Sequence, residues 1–342
     1  MSVTNSVKVR FCKDSGIPIS VVQEPYFSDR LELLNPYYDS VRKWTQFNTE
    51  LAKYRCDHDY LEDWDRVRLL AIGKIHSSKG FKEFQEAKFS AKAPEFERSV
   101  YCPEFVGKTL ISFDLVQADY NALKYFNPSI FGSTETWEEW ISQFTNNSFL
   151  IESKRLRRCV LSECCPAKIA RLQQCLINHL LCKLDVTVES IGYAGNDEAV
   201  IDVTNLDEMA QQIVMDSAKE FAVPLRVEVF QLKSLDSMKG YYKVSDGKVS
   251  FKCVSKSDLP LAIKELEGRE VTALDRVFWS ENGLARVIDG DGLFGELKSL
   301  TDSAIAMLSE VSEPEDSRDK VLLKQLVSTQ DAISDWLTAH GK

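Results

Sequence analysis

The stretch from Lys108 to Asn121, KTLISFDLVQADYN, constrains this chain most, because an apolar run ends there in an acid and the pattern then changes period. Thr109 to Phe113 has the β-branched and aromatic content of a short buried strand. Asp114 follows where such a strand emerges, with Gln117 and Asp119 just beyond it. From Ala118 the spacing turns helical, with Leu115, Ala118, Ala122, Tyr125 and Phe126 recurring every three to four residues. Asp114 is therefore expected at a strand-to-helix junction. Two roles fit that place: a metal-binding carboxylate at a sheet edge, or an acidic helix cap.

A second acidic stretch weighs between them. Val186 to Val203, VTVESIGYAGNDEAVIDV, reads as strand, tight turn, strand, with Gly195 and Asn196 supplying the turn and Asp197 and Glu198 at or just past its tip. If these strands neighbour the Asp114 strand, Asp114 and Asp197 converge on a site for two divalent cations. Mg²⁺ takes carboxylate oxygens and leaves positions for phosphates, with Mn²⁺ an alternative. Two such ions roughly 3.5–4 Å apart activate an attacking hydroxyl and stabilise a leaving pyrophosphate.

FDLVQADYNALKYF resembles motif A of the family A DNA polymerases, the bacterial DNA polymerase I group, in which a catalytic Asp is followed by Gln and Glu; Asp114, Gln117 and Asp119 hold those places. GNDEAVIDV is similar to that family's motif C, His-Asp-Glu before an apolar strand, with Asn196 in place of the His and Asp197 and Glu198 matching. The resemblance covers residues 100 to 234, including a helix expected over Leu206 to Phe221 and a strand over Val223 to Gln231 that close the palm.

The resemblance implies template-directed nucleotidyl transfer on a primed nucleic-acid template with nucleoside triphosphates. Asp114 and Asp197 would hold the metals and Glu198 would assist. In the family, a fingers helix between the motifs carries an Arg and a Lys four apart for the triphosphate; the nearest match is SKRLRRCVLSECCP, with Lys154 and Arg158 at those places. Ser162 stands where the family has an aromatic, and Pro166 near its Tyr. Asp119 takes the position of a steric gate against the ribose 2′-hydroxyl, while RNA-copying polymerases use an acid at that spacing to accept the hydroxyl. The short interval between the motifs is also nearer to reverse transcriptases and RNA-dependent RNA polymerases. An RNA polymerase of the right-handed palm type, or a catalytically silent palm binding nucleic acid or a replication partner, are the alternatives.

The expected fold is α/β: an antiparallel palm sheet with helices on one face at 100–238, a mainly helical thumb-like region at 1–99, and a small α+β accessory region at 239–342 that offers a surface for a protein partner. Val7 to Cys12, VKVRFC, reads as an initial strand. Trp44, Phe47, Leu51, Leu69 and Ile72 lie at helical spacing. Gly240 to Val254 reads as a hairpin turning at Asp246-Gly247, followed by a helix and a strand pair, and two more helices beyond the acidic linker Ser312 to Lys320.

A formal charge of −10 argues against broad attraction to nucleic acid, so the distribution of charge carries the case. Lys154, Arg155, Arg157, Arg158, Lys168 and Arg171 gather between the two acidic motifs, and Arg155, Arg157, Lys168 and Arg171 are candidates for nucleic-acid contact. The 9 cysteines include no repeated C-x-x-C zinc pattern. Those from Cys159 to Cys182 fall in one helical region, where free cysteine behaves as a small apolar residue. No apolar run nears the roughly 20 residues that cross a bilayer, and the N-terminus lacks the apolar core of a signal peptide. An intracellular protein is expected, in the cytoplasm, nucleoid or nucleus, with no membrane partner.

Overall fold

Helices α1 (Asn5–Ser15), α2 (Tyr26–Tyr38), α3 (Ser40–Leu51), α4 (Asp57–Ser77) and α5 (Lys79–Glu86) precede strand β1 (Thr109–Leu115) in the computed structural model. It describes residues 3–271 except 20, 23, 25, 91–98, 133, 185, 186, 188, 189 and 237, together with two short strands at 277–279 and 285–287. Between β1 and the next strand run α6 (Ala118–Phe126), α7 (Trp137–Ile141), α8 (Ser148–Ile151), α9 (Lys154–Leu161) and α10 (Pro166–Lys183). Then come β2 (Ile191–Ala194), β3 (Glu198–Asp202), α11 (Glu208–Lys219), β4 (Leu225–Ser234), β5 (Tyr241–Ser245), β6 (Lys248–Lys252) and α12 (Leu259–Leu266). The pair β7 (Val277–Trp279) and β8 (Ala285–Val287) forms a separate ladder.

The protein is mixed α/β, with six strands in the order β2-β3-β1-β4-β5-β6, each paired antiparallel to its neighbour. Its first four strands follow the split β-α-β pattern, in which β3 is inserted between β1 and β2 and β4 closes the far side of β1. Alternation along β1 separates two faces. Ile111, Phe113 and Leu115 point into the main core with Tyr120, Leu123, Ile169 and Leu172 from α6 and α10. On the opposite face Leu110, Val200, Phe230 and Leu232 form a smaller cluster with Val100 and the partly buried Tyr101 and Phe105.

Local chemistry explains several boundaries. Ser153 accepts the amide hydrogen of Leu156 and so starts α9, and Asp207 does the same for Ala210 at α11. Asp246 (φ 48°) and Gly247 (φ 72°) are both left-handed, the backbone a two-residue hairpin turn demands between β5 and β6.

One expectation needs correction. Val7 to Cys12 is helical, because Val7, Phe11 and Cys12 lie on one helix face and are buried there. The Phe11 ring sits 4.8 Å from Trp44, 5.3 Å from Phe47 and 6.0 Å from Phe149, and that burial outweighs the strand preference of valines. The sheet continues past residue 238, where β5 pairs with β4 over Gln231–Val244 to Ser234–Tyr241. Phe11, Phe47, Tyr60 and Phe84 of the helices before β1 belong to the same continuous core as Phe113 and Ile201. On α4, Leu69 is 59% exposed, and the buried face is made by Tyr60, Trp64, Val67, Ala71 and Ile75.

Cys164 is buried, while Cys159, Cys165 and Cys175 are half-buried and Cys182 is exposed. The expected C-terminal helices, the 312–320 linker and the start of the Val186 strand lie outside the described residues. Among the described residues no helix is long and apolar enough to cross a membrane.

Candidate active site

A cavity of about 620 Å³ opens at the end of the sheet where β1 gives way to α6. The junction contributes Asp114, Gln117 and Asp119, and the turn between β2 and β3 contributes Asp197. Helix α9 contributes Lys154, Arg157 and Arg158, and the start of β4 contributes Arg226. The two aspartates meet because β1 and β3 are paired in register, Asp114 opposite Glu198, and the Leu115 amide donates to the Asp197 carbonyl at 2.8 Å.

The junction is tightly braced. Gln117, the residue that caps the start of α6, adopts φ 46°, a left-handed conformation that costs a non-glycine residue about 1 kcal/mol or more. Its side-chain amide donates to Glu138 Oε1 at 2.8 Å, and Arg157 approaches the same oxygen at 3.9 Å. Asn121 donates to the Val116 carbonyl at 2.6 Å, closing the turn beneath. Asp119 accepts a hydrogen bond from the Gln173 side chain at 2.8 Å.

Helix α9 is fixed from behind by buried Leu156, Val160 and Leu161. Arg155 turns away from the cavity, 3.8 Å from the buried Asp14 carboxylate and 5.8 Å from the centre of the Trp64 ring. Burial lowers the pKa of Arg157 despite Glu138 and Asp119 nearby, whereas Lys154 and Arg158 are exposed one helical turn apart.

Asp114 has its carboxyl raised above the ordinary range by burial first; Arg226 pulls it down and Asp197 pushes it up. Arg226 ion-pairs with Asp114 from the facing position on β4 and lies 3.7 Å from Glu228. Glu198 does not line the cavity. It lies on the second sheet face with Lys243 and Lys252, its pKa raised by burial and by Asp114 and Asp197, against the pull of the two lysines. Lys243 itself bonds Glu228 at 2.8 Å, and Lys252 sits 5.4 Å over the Tyr101 ring.

The donor set suits a hard divalent cation shared with a ligand. Among the described residues no three His, Cys, Asp or Glu side chains form a ready protein cage. Asp114 and Asp197, with Asp119 at the same cavity and basic side chains facing them, offer the oxygen donors that Mg²⁺ takes when it is shared with a ligand's phosphates.

Of the residues singled out from the sequence, Asp114, Gln117, Asp119, Lys154, Arg157, Arg158 and Asp197 come together here. Lys168 does not: its ammonium donates to the Phe84 carbonyl at 3.2 Å and to that of Gln85, closing the end of α5. Arg171 is exposed on α10 and lines no part of this cavity. Arg226, Glu138 and Gln173 were missed. A strand alternation flags Arg226 as facing away from the core, but only its register against β1 brings it to Asp114. No protein-family model matches the chain, and comparison with curated proteins and with solved structures finds no match either.

Proposed function

We propose that this chain is a nucleotidyltransferase with a polymerase palm, adding nucleotides to a primer on a nucleic-acid template. The observation that carries the reading is the meeting of Asp114 and Asp197 with Lys154 and Arg158 around one cavity. Acids that bind metal and cations that bind phosphate serve opposite ends of one triphosphate.

Bound divalent cations would lower the pKa of the primer hydroxyl and neutralise charge on the phosphates. Asp114 and Asp197 would hold them. Lys154 and Arg158, one helical turn apart, take the β- and γ-phosphates so that the α-phosphorus faces the hydroxyl. The primer hydroxyl gives its proton to solvent water, the bond from its oxygen to the α-phosphorus forms as the bond from that phosphorus to the α–β bridging oxygen breaks, and pyrophosphate leaves along the basic wall of α9. Arg157 and Gln117, tied together through Glu138, keep α9 and the β1–α6 junction at a constant distance. Asp119, held by Gln173, faces the sugar.

Primer extension with labelled nucleotide and Mg²⁺ tests this. Asp114→Asn and Asp197→Asn should each reduce incorporation by at least about a hundredfold, the scale of losing one electrostatic contact to a transferring group. Undiminished activity in either variant refutes the assignment.

One observation favours a second reading. Arg226 already neutralises Asp114, as in a palm that binds nucleic acid without turnover. Tight template binding with no incorporation by the unaltered chain, with Mg²⁺ or Mn²⁺, would select it. The choice between deoxy- and ribonucleotide, hence between DNA and RNA polymerase, rests on Asp119.

A further inference from the structure

We propose that a second cavity along α9 binds the phosphate backbone of a nucleic-acid strand beside the candidate active site. Its volume is about 640 Å³. Residues Arg155, Cys159 and Ser162 of α9 and its C-terminal end join Lys154 and Arg158, which line the first cavity too, so the two are continuous along one helix. Lys13, at the end of α1, and Lys256, in the loop before α12, supply the opposite wall.

Charge defines the ligand. Five cationic side chains line this space and no carboxylate does among the described residues. Arg155 is engaged with Asp14, whereas Lys13, Lys154, Arg158 and Lys256 have no ion-pair partner among the described residues. This concentration occurs in a chain with net charge −10, where chance would supply acids. The first turn of α9 holds Lys154 and Arg155 and no acid, so its cations stand against the helix dipole, an arrangement that a bound anion relieves.

Shape and wall chemistry exclude base recognition. Cys12, Ile17, Pro18 and Cys159 make the apolar lining, and among the described residues no aromatic ring lines it as a stacking platform. A ligand held here is gripped through phosphates alone, without preference for bases. A strand, rather than a second nucleotide, accounts for the continuity with the first cavity, a point that rests on the polymerase reading.

The test measures binding, not turnover. A fluorescent single-stranded oligonucleotide is titrated with the full chain in EDTA without nucleotides, and anisotropy is followed across a range of salt concentrations. Lys13→Gln with Lys256→Gln, which leaves the first cavity untouched, should weaken binding about tenfold at 0.15 M salt and flatten the log–log salt slope by about 1.4, the value for two lost single-strand phosphate contacts. Lys219→Gln, at the exposed end of α11 and lining neither cavity, should change neither. Oligo-dT, oligo-dA and an abasic strand should bind alike.

Equal binding and slope in the double variant, an equal loss in Lys219→Gln, or strong base preference would overturn the proposal. So would tripolyphosphate binding that the double variant loses while oligonucleotide binding persists. Because no chemistry is read, inactivity in primer extension leaves this result standing, and Asp114→Asn should bind the strand at least as well as the unaltered chain.

Discussion

Asp114 and Arg226 face each other across neighbouring strands, carboxylate to guanidinium, with Asp197 lining the same cavity from the turn before β3, the strand on the other side of β1. The pair joins the best candidate metal ligand to a side chain that competes with any cation. Arg226 is 61% exposed, so solvent screens the attraction to the modest scale of surface ion pairs. Arg226→Gln should therefore tighten Mn²⁺ binding by about two- to fivefold, as read by electron paramagnetic resonance of the free ion. Unchanged or weaker binding would mean that Asp114 is not where the ion sits.

Asp119 is oriented by Gln173 from α10, a contact between residues on different helices. If a placed carboxylate sets sugar choice, Asp119→Ala should relax discrimination between deoxy- and ribonucleotides in competition assays. Gln173→Leu should relax it too, by a smaller factor, because the carboxylate remains but loses its donor. Discrimination untouched by Gln173→Leu would leave bulk alone as the gate.

Glu198 is paired in register with Asp114, and its carboxyl is raised above its ordinary value of 4.5 by burial, against the pull of Lys243. A raised carboxyl binds its proton more tightly in the folded chain than in the unfolded one. Stability therefore falls as pH climbs from about 4.5 through the raised value, and the full penalty applies above it. Glu198→Gln, which carries no charge at any pH, should melt higher than the unaltered chain at pH 7.5, by about 2 °C, the scale of one kcal/mol in a chain this large. The advantage should vanish near pH 4. A gain that persists there would point to packing rather than charge.

Phe47 is wholly buried among Phe11, Trp44, Tyr60 and Phe149, with ring centroids 4.9 to 5.6 Å away. It joins α1, α3, α4 and α8 into the core that also backs α9. Phe47→Ala should cost about 3–5 kcal/mol, seen as a lower urea midpoint at unchanged slope. A cost below about 1 kcal/mol would mean that these helices fold apart from the sheet.

Much of the local order is legible in the linear chain. Thr109 to Leu115 forms the strand that its β-branched run implies, and Leu225 to Ser234 the one expected after the second acidic stretch. Asp246 and Gly247 make the hairpin turn that their chemistry favours. Where the reading failed, long-range burial won: the alternation in VKVRFC is weaker than the aromatic surroundings that Phe11 enters only as a helix.

The candidate site divides the same way. Asp114, Asp197 and the α9 cations are visible because each lies within a local pattern of its own. Their meeting, the ion pair from Arg226, the brace through Glu138 and the diversion of Lys168 to the end of α5 are set by strand register and helix packing. Periodicity, caps and turns depend on neighbours in the chain, so the sequence by itself determined the elements and the acids at their ends. Which distant charges touch depends on how the apolar faces are buried together, and only the tertiary structure decided that.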